Sequence, residues 1–152
     1  MLHGILLSLH VLAATLWVGG MFYAYMAMRP AVGARVEPPQ RPGLWRDALA
    51  RFFFWVWVSV VVLLGSGHAL VAQMGGWATV GWHVHLMHLT GLIMMLIFAW
   101  VFFVPFRRLK RADQAGDPSD GGRCIPPIRK AVAINLLLGL VTVAVASGGA
   151  YW

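Results

Sequence analysis

Gly81-Trp-His-Val-His-Leu-Met-His-Leu-Thr-Gly91 sets three histidines, His83, His85 and His88, at the mouth of an apolar run that continues to Pro105. The run, 80–105, meets the roughly 20 mostly apolar residues that a membrane-spanning helix requires. Outward from it lie three more runs of the same kind, at 4–28, 52–74 and 131–151. All 12 basic and all 5 acidic residues fall between the runs, in 29–51 and 107–130. The fold class expected is all-α: one integral membrane domain, 1–152, of four transmembrane helices in an antiparallel bundle.

Composition agrees. Hydrophobic residues make up 60% and charged residues 11% of the chain, and the mean hydropathy is +0.74. These values lie outside those of an ordinary soluble domain. The formal charge of +7 does not point to nucleic acid, because a binder carries its basic residues as a stripe on a folded surface. The first run lacks a basic leader and is too long for the core of a signal peptide, so it is expected to be a retained span. With no charged residue inside any run, voltage sensing and a charge relay are excluded.

Loops 29–51 and 106–130 hold every Lys and Arg, whereas the turn after the second run holds none. The positive-inside rule therefore makes those two loops cytoplasmic and puts both termini on the other side of a bacterial inner membrane. Segment 113–127, rich in Gly, Pro, Asp and Ser, is expected to be a flexible loop. Trp45, Trp77, Trp82 and Trp152 stand near span ends, where aromatic belts form. The single cysteine, Cys124, falls in the charged loop, so no disulfide framework or Cys-based metal motif exists.

The histidines carry the chemistry. On the first helix His3, Leu7, His10, Ala14, Trp17 and Met21 recur at three-and-four spacing and share a face. At about 1.5 Å per residue, His10 lies roughly 10–12 Å below the helix end, His68 about 10 Å, His88 about 12 Å and His85 about 7–8 Å. His85 and His88 are three apart and share a face; His83 and His3 are shallower. Imidazoles at one depth on three helices point to a shared ligand, because an ionisable group facing lipid is costly. Imidazole suits haem iron, copper and zinc. The absence of a nearby carboxylate excludes a carboxylate-bridged di-iron bundle, and Ser8, Ser59, Ser66 and Ser147 lack an acid partner for a triad.

Two ligands stay open. Haem b is the first, with His10 as one axial ligand and His85 or His88 as the other, and with the small-residue stripe Asn135, Gly139, Thr142, Ala146 and Gly149 against the macrocycle. Electron transfer with a quinone or another redox partner would follow. Copper is the alternative, held by His10, His68, His85 and thioethers such as Met21, Met26, Met28, Met87, Met94 and Met95. A third reading is a small accessory subunit whose polar residues only fix packing. Besides the lipid bilayer, the size of the bundle admits a homodimer.

The stretch Leu9-His-Val-Leu-Ala-Ala-Thr-Leu-Trp-Val-Gly-Gly-Met-Phe22 resembles the opening helix of the bacterial copper-resistance-D (CopD-like) membrane proteins. Arg51-Phe-Phe-Phe-Trp-Val-Trp57, His83-Val-His-Leu-Met87 and Ile134-Asn-Leu-Leu-Leu-Gly-Leu-Val-Thr142 fit short members of that group. The first-helix pattern is also similar to the four-helix HemJ-type protoporphyrinogen oxidases. That similarity implies haem b with His10 as ligand. The HemJ-type third helix carries a Lys two residues after its His; here that place is Met87, which speaks against the oxidase activity.

Overall fold

The four apolar runs become four antiparallel helical passes in the computed structural model, which describes residues 1–149. Tyr151 and Trp152, the expected end of the last span and an expected belt residue, lie outside the described residues. The first pass is α1 (Leu2–Tyr23), which runs through a π-helical segment, Ala24–Met28, into α2 (Arg29–Arg35). A 3₁₀ turn, Pro38–Gln40, leads into α3 (Arg41–Gln73). The third pass is α4 (Trp82–Phe103), broken at Val104 and resumed as α5 (Pro105–Gln114). The last is α6 (Pro118–Gly148). All four passes are long and apolar enough to cross a membrane.

Their outer faces suit that setting. Leu12, Leu16, Phe54, Val61, Leu96 and Leu137 are all exposed, a surface water would penalise and acyl chains would not. Between spans in lipid, association comes from close packing and hydrogen bonds rather than from expelling water. The tight seams are accordingly built on small residues. A Cβ on Gly139 of α6 would stand 2.8 Å from Val18 of α1 and 3.2 Å from Met94 of α4, and a Cβ on Gly20 would overlap the Phe52 ring. Asn135, 4% exposed, donates from Nδ2 to the Met94 carbonyl at 3.0 Å. Thr142 Oγ1 meets Thr90 Oγ1 at 2.8 Å.

The closest helix pairs are therefore α1 with α3 and α4 with α6. The short turn makes α3 and α4 antiparallel, as expected, yet their backbones are held apart by rings. Phe98 of α4 lies 5.4 Å from Phe53 and 5.1 Å from Trp57 of α3, and 6.0 Å from Trp17 of α1 (centroid to centroid). Phe53 and Phe98 are buried, so this wedge is the core of the bundle.

The segments between the spans, 29–51 and 106–130, are mostly helix, which corrects the reading of 113–127 as a flexible loop. The connection between α5 and α6 is only residues 115–117. Asp117 is the reason: its carboxylate accepts from the backbone N–H groups of Ser119 and Asp120, and Pro118 occupies the first helical position. Pro126 and Pro127 continue inside α6. The carbonyls they leave without N–H donors belong to Gly122, which is half-buried, and Arg123, which is exposed. Gly121 admits the edge of Pro42, whose Cβ would stand 2.8 Å from an added Cβ. Ion pairs tie this end together: Arg46 of α3 reaches Asp113 of α5 at 2.8 Å, and Arg108 of α5 pairs with Asp120 of α6.

Cys124 does not hang in a loop. It is 2% exposed, among the core residues, with its Sγ donating to the Asp120 carbonyl at 3.3 Å. In folded, detergent-solubilised protein it is expected to resist maleimide and to label only on denaturation. Labelling of the folded protein as fast as a free thiol would contradict this packing.

Candidate functional site

Every described histidine lies at the end of the bundle opposite the ion pairs, and the contacts divide them into separate groups. The turn between α3 and α4 builds the main one. Gly75 and Gly76 hold φ of +93° and +95°, a region that a residue with a Cβ rarely enters. Thr79 locks the turn, its Oγ1 donating to the Met74 carbonyl at 2.6 Å and the Gly76 carbonyl at 2.8 Å. The chain reversal swings Trp77 back over the helix ends.

There Trp77 gathers three imidazoles. Its ring centroid is 4.6 Å from His88, 5.8 Å from His85 and 5.9 Å from His68. His68 and His88 face each other across the α3–α4 seam at 5.4 Å, nearly perpendicular. His68 and His85 are exposed and His88 is half-buried, so the group opens outward rather than into the bundle. His68 Nδ1 stands 2.8 Å from the Leu64 carbonyl. A carbonyl only accepts, so Nδ1 carries the proton and Nε2 keeps its lone pair. A carbonyl bond of this kind holds an imidazole ring in one orientation.

His10 belongs elsewhere. Its Nδ1 lies 2.9 Å from Ser66 Oγ, and its Cε1 packs where Gly67 lacks a side chain, 3.2 Å from an added Cβ. Ser66 gives its own proton to the Val62 carbonyl, so its oxygen accepts from His10. Ser66 and His68 are two residues apart on one helix, about 200° around the axis. The structure thus sets His10 on one side of α3 and the His68–His85–His88 group on another. His3 pairs with Gln73 at 3.1 Å, at the rim. His83 is half-buried and packs its Cβ into the space left by Gly149, 2.7 Å from an added Cβ there.

Among the described contacts none joins His10 to His85 or His88, so His10 stands apart from the α4 imidazoles expected to pair with it across a haem. The expected macrocycle stripe is also occupied: Asn135, Gly139 and Thr142 are spent on Met94, Val18 and Thr90. Of the expected thioethers, Met21 and Met94 are in the core and Met95 is packed against it, whereas Met26 is exposed and Met28 and Met87 are half-buried outside it. Among the described residues no three of His, Cys, Asp and Glu gather closely enough to share an ion. What the site offers is imidazole pairs, a donor type that suits zinc, copper, iron and nickel alike.

Sequence reasoning did not single out Trp77 beyond the interfacial belt. The only hint was its place directly after Gly75-Gly76 in a tight turn. Nor did it give Ser66 a role beyond a rejected nucleophile.

Fold and site together define a small multi-pass, all-helical membrane protein with imidazoles grouped at one rim. The chain belongs to the copper-resistance-D family: the family model described as Copper resistance protein D matches residues 46–148. The matched region takes in His68, His85 and His88 and does not reach His10. No curated protein and no solved structure matches the chain.

Proposed function

We propose that this protein handles copper as cargo at its histidine-bearing rim, with His68 and His88 as the docking pair and His85 nearby, beside the same Trp77 ring. The observation that carries the reading is the meeting of imidazoles from α3 and α4 around Trp77, within the region that matches the family. The Leu64 carbonyl fixes the His68 tautomer so that Nε2 is available to the ion. Trp77 shields one side of the pair from water. The outward opening of His68 and His85 suits a metal that must arrive and leave, in contrast to a closed structural site. By the distribution of Lys and Arg, this rim faces away from the cytoplasm in a bacterial inner membrane, so copper would be met on the outer side.

A second reading keeps haem b on His10 alone. It rests on the half-buried His10, whose Nδ1–H is committed to Ser66 and whose Nε2 is free. Electron transfer with a quinone-like partner would be its work.

One detergent preparation from copper-replete, haem-supplemented cells separates them. Metal analysis is expected to find copper in proportion to protein, with no Soret band. A Soret band lost in His10→Ala would replace the copper reading with the haem one. Protein with neither copper nor haem would leave a packing subunit and overturn both.

A further inference from the structure

The end of the bundle that carries the ion pairs holds a cavity of about 410 Å³, lined by the π-helical segment of the first pass, α2, the start of α3 and the first half of α6. We propose that it binds the headgroup of an acidic phospholipid, with the acyl chains leaving along the apolar outer face of the bundle. Its volume lies within the roughly 300–1,000 Å³ of ligand sites.

The walls are mostly apolar, with Val32, Leu49 and Ile128 buried behind them, and Trp45 contributes a flat indole. Three arginines, Arg29, Arg41 and Arg129, stand among these residues. An apolar pocket edged by guanidinium groups matches a molecule with an anionic head and a greasy body.

Charge balance points the same way. Asp47 and Asp113 pair with Arg46, Asp120 pairs with Arg108, and Asp117 caps α6. The fifth acid, Glu37, makes no ion pair among the described residues and does not line the cavity. Arg29, Arg41 and Arg129 thus have no carboxylate partner among the described residues. Arg41 is partly committed, donating to the Val36 and Gly33 carbonyls at 2.9 Å each, which fixes the cavity floor. Arg29 lies over the Tyr25 ring at 5.0 Å, and Arg129 makes no such contact. A phosphate diester supplies the missing negative charge, and Arg binds phosphate through paired N–H donors.

The backbone is shaped for this opening. The first pass widens to a π-helix over Ala24–Met28, where Ala24 and Tyr25 face the cavity. Such widenings within α-helices are frequent at functional sites. Basic pockets between spans near one membrane face are a recognised setting for acidic headgroups.

The test uses the full chain in mild detergent, delipidated and then titrated with phosphatidylglycerol, phosphatidylcholine or inorganic phosphate. Bound lipid is read by native mass spectrometry and protection by thermal unfolding. Phosphatidylglycerol should be retained and protective, phosphatidylcholine much less so, and inorganic phosphate should have little effect. Arg29→Gln with Arg129→Gln should weaken phosphatidylglycerol retention roughly 30-fold, the factor expected for two basic residues near an anionic surface. Arg107→Gln with Arg111→Gln, exposed and outside the cavity, should retain lipid like the parent. Should the Gln pair fold poorly, Arg29→Lys with Arg129→Lys keeps the charge but loses the paired donors and should weaken phosphatidylglycerol retention several-fold, and undiminished retention would overturn the arginine site. Equal losses in the cavity and control pairs would mean general surface attraction and overturn the site. Full protection by inorganic phosphate, or equal retention of phosphatidylcholine, would overturn the lipid assignment.

Discussion

Replacing His68 and His88 together by alanine is expected to abolish copper retention while the bundle stays folded. The two imidazoles come from different helices and stand 5.4 Å apart, so removing both deletes the docking pair on each side of the α3–α4 seam. Neither is in the core, which limits the cost in stability; His68 is exposed and His88 only half-buried. Each single replacement leaves one imidazole beside His85 and should weaken copper strongly without eliminating it. His10→Ala is the internal control. It removes the bond to Ser66, worth about 0.6 kcal/mol for an interhelical hydrogen bond in a membrane, and should leave copper stoichiometry unchanged. Copper analysis of the four purified proteins checks all of this. Undiminished copper in the double variant would move the site away from Trp77.

Phe98→Ala is expected to produce the largest loss of stability of any single substitution in the bundle. Phe98 is 4% exposed and meets Trp17, Phe53 and Trp57 edge-on and Phe102 at a tilt, joining α4 to both α1 and α3. In water such a truncation costs about 3–5 kcal/mol, from lost transfer energy together with a cavity. In a bilayer the separated helix also sits in hydrocarbon, so the transfer contribution largely falls away. The cavity contribution remains. At about 24 cal/mol per Å³, a void of roughly 100 Å³ costs about 2–3 kcal/mol. Phe98→Leu fills most of that space and should recover more than half. Unfolding in mixed detergent micelles measures the difference. A neutral Phe98→Ala would mean that the ring wedge does not hold α3 and α4 in place.

Both experiments concern features of unequal visibility in the sequence. Four spans were legible because lipid demands about 20 apolar residues per crossing, and that demand is local and one-dimensional. The shared face of His85 and His88 was legible for the same kind of reason, since three-residue spacing on a helix settles it without a partner. Of the buried line Ala13, Trp17 and Met21, the last two belong to the face read from the first helix, whereas His3 and Leu7 of that face are exposed.

Segment 113–127 was misjudged as a flexible loop because Gly and Pro content is only a tendency. In 106–130 a single well-placed cap, Asp117, and ion pairs to neighbouring helices outweigh it. A buried Cys124 inside a charged stretch follows from the same docking of α6 against the rest, which no local pattern announces.

Depth along each helix could be counted from the chain, and the histidines do fall at one end of the bundle. Depth fixes only one coordinate of three. Rotation of each helix about its axis, and which helices lie side by side, come from packing: Gly139 admits Val18 and Met94, and the Phe–Trp wedge spreads α3 from α4. That packing turns His10 to Ser66 and turns His68 to His88. The sequence by itself therefore determined a four-span membrane bundle with a layer of imidazoles. Only the tertiary structure decided which imidazoles meet, because partners across a seam are chosen by the shapes that fill it.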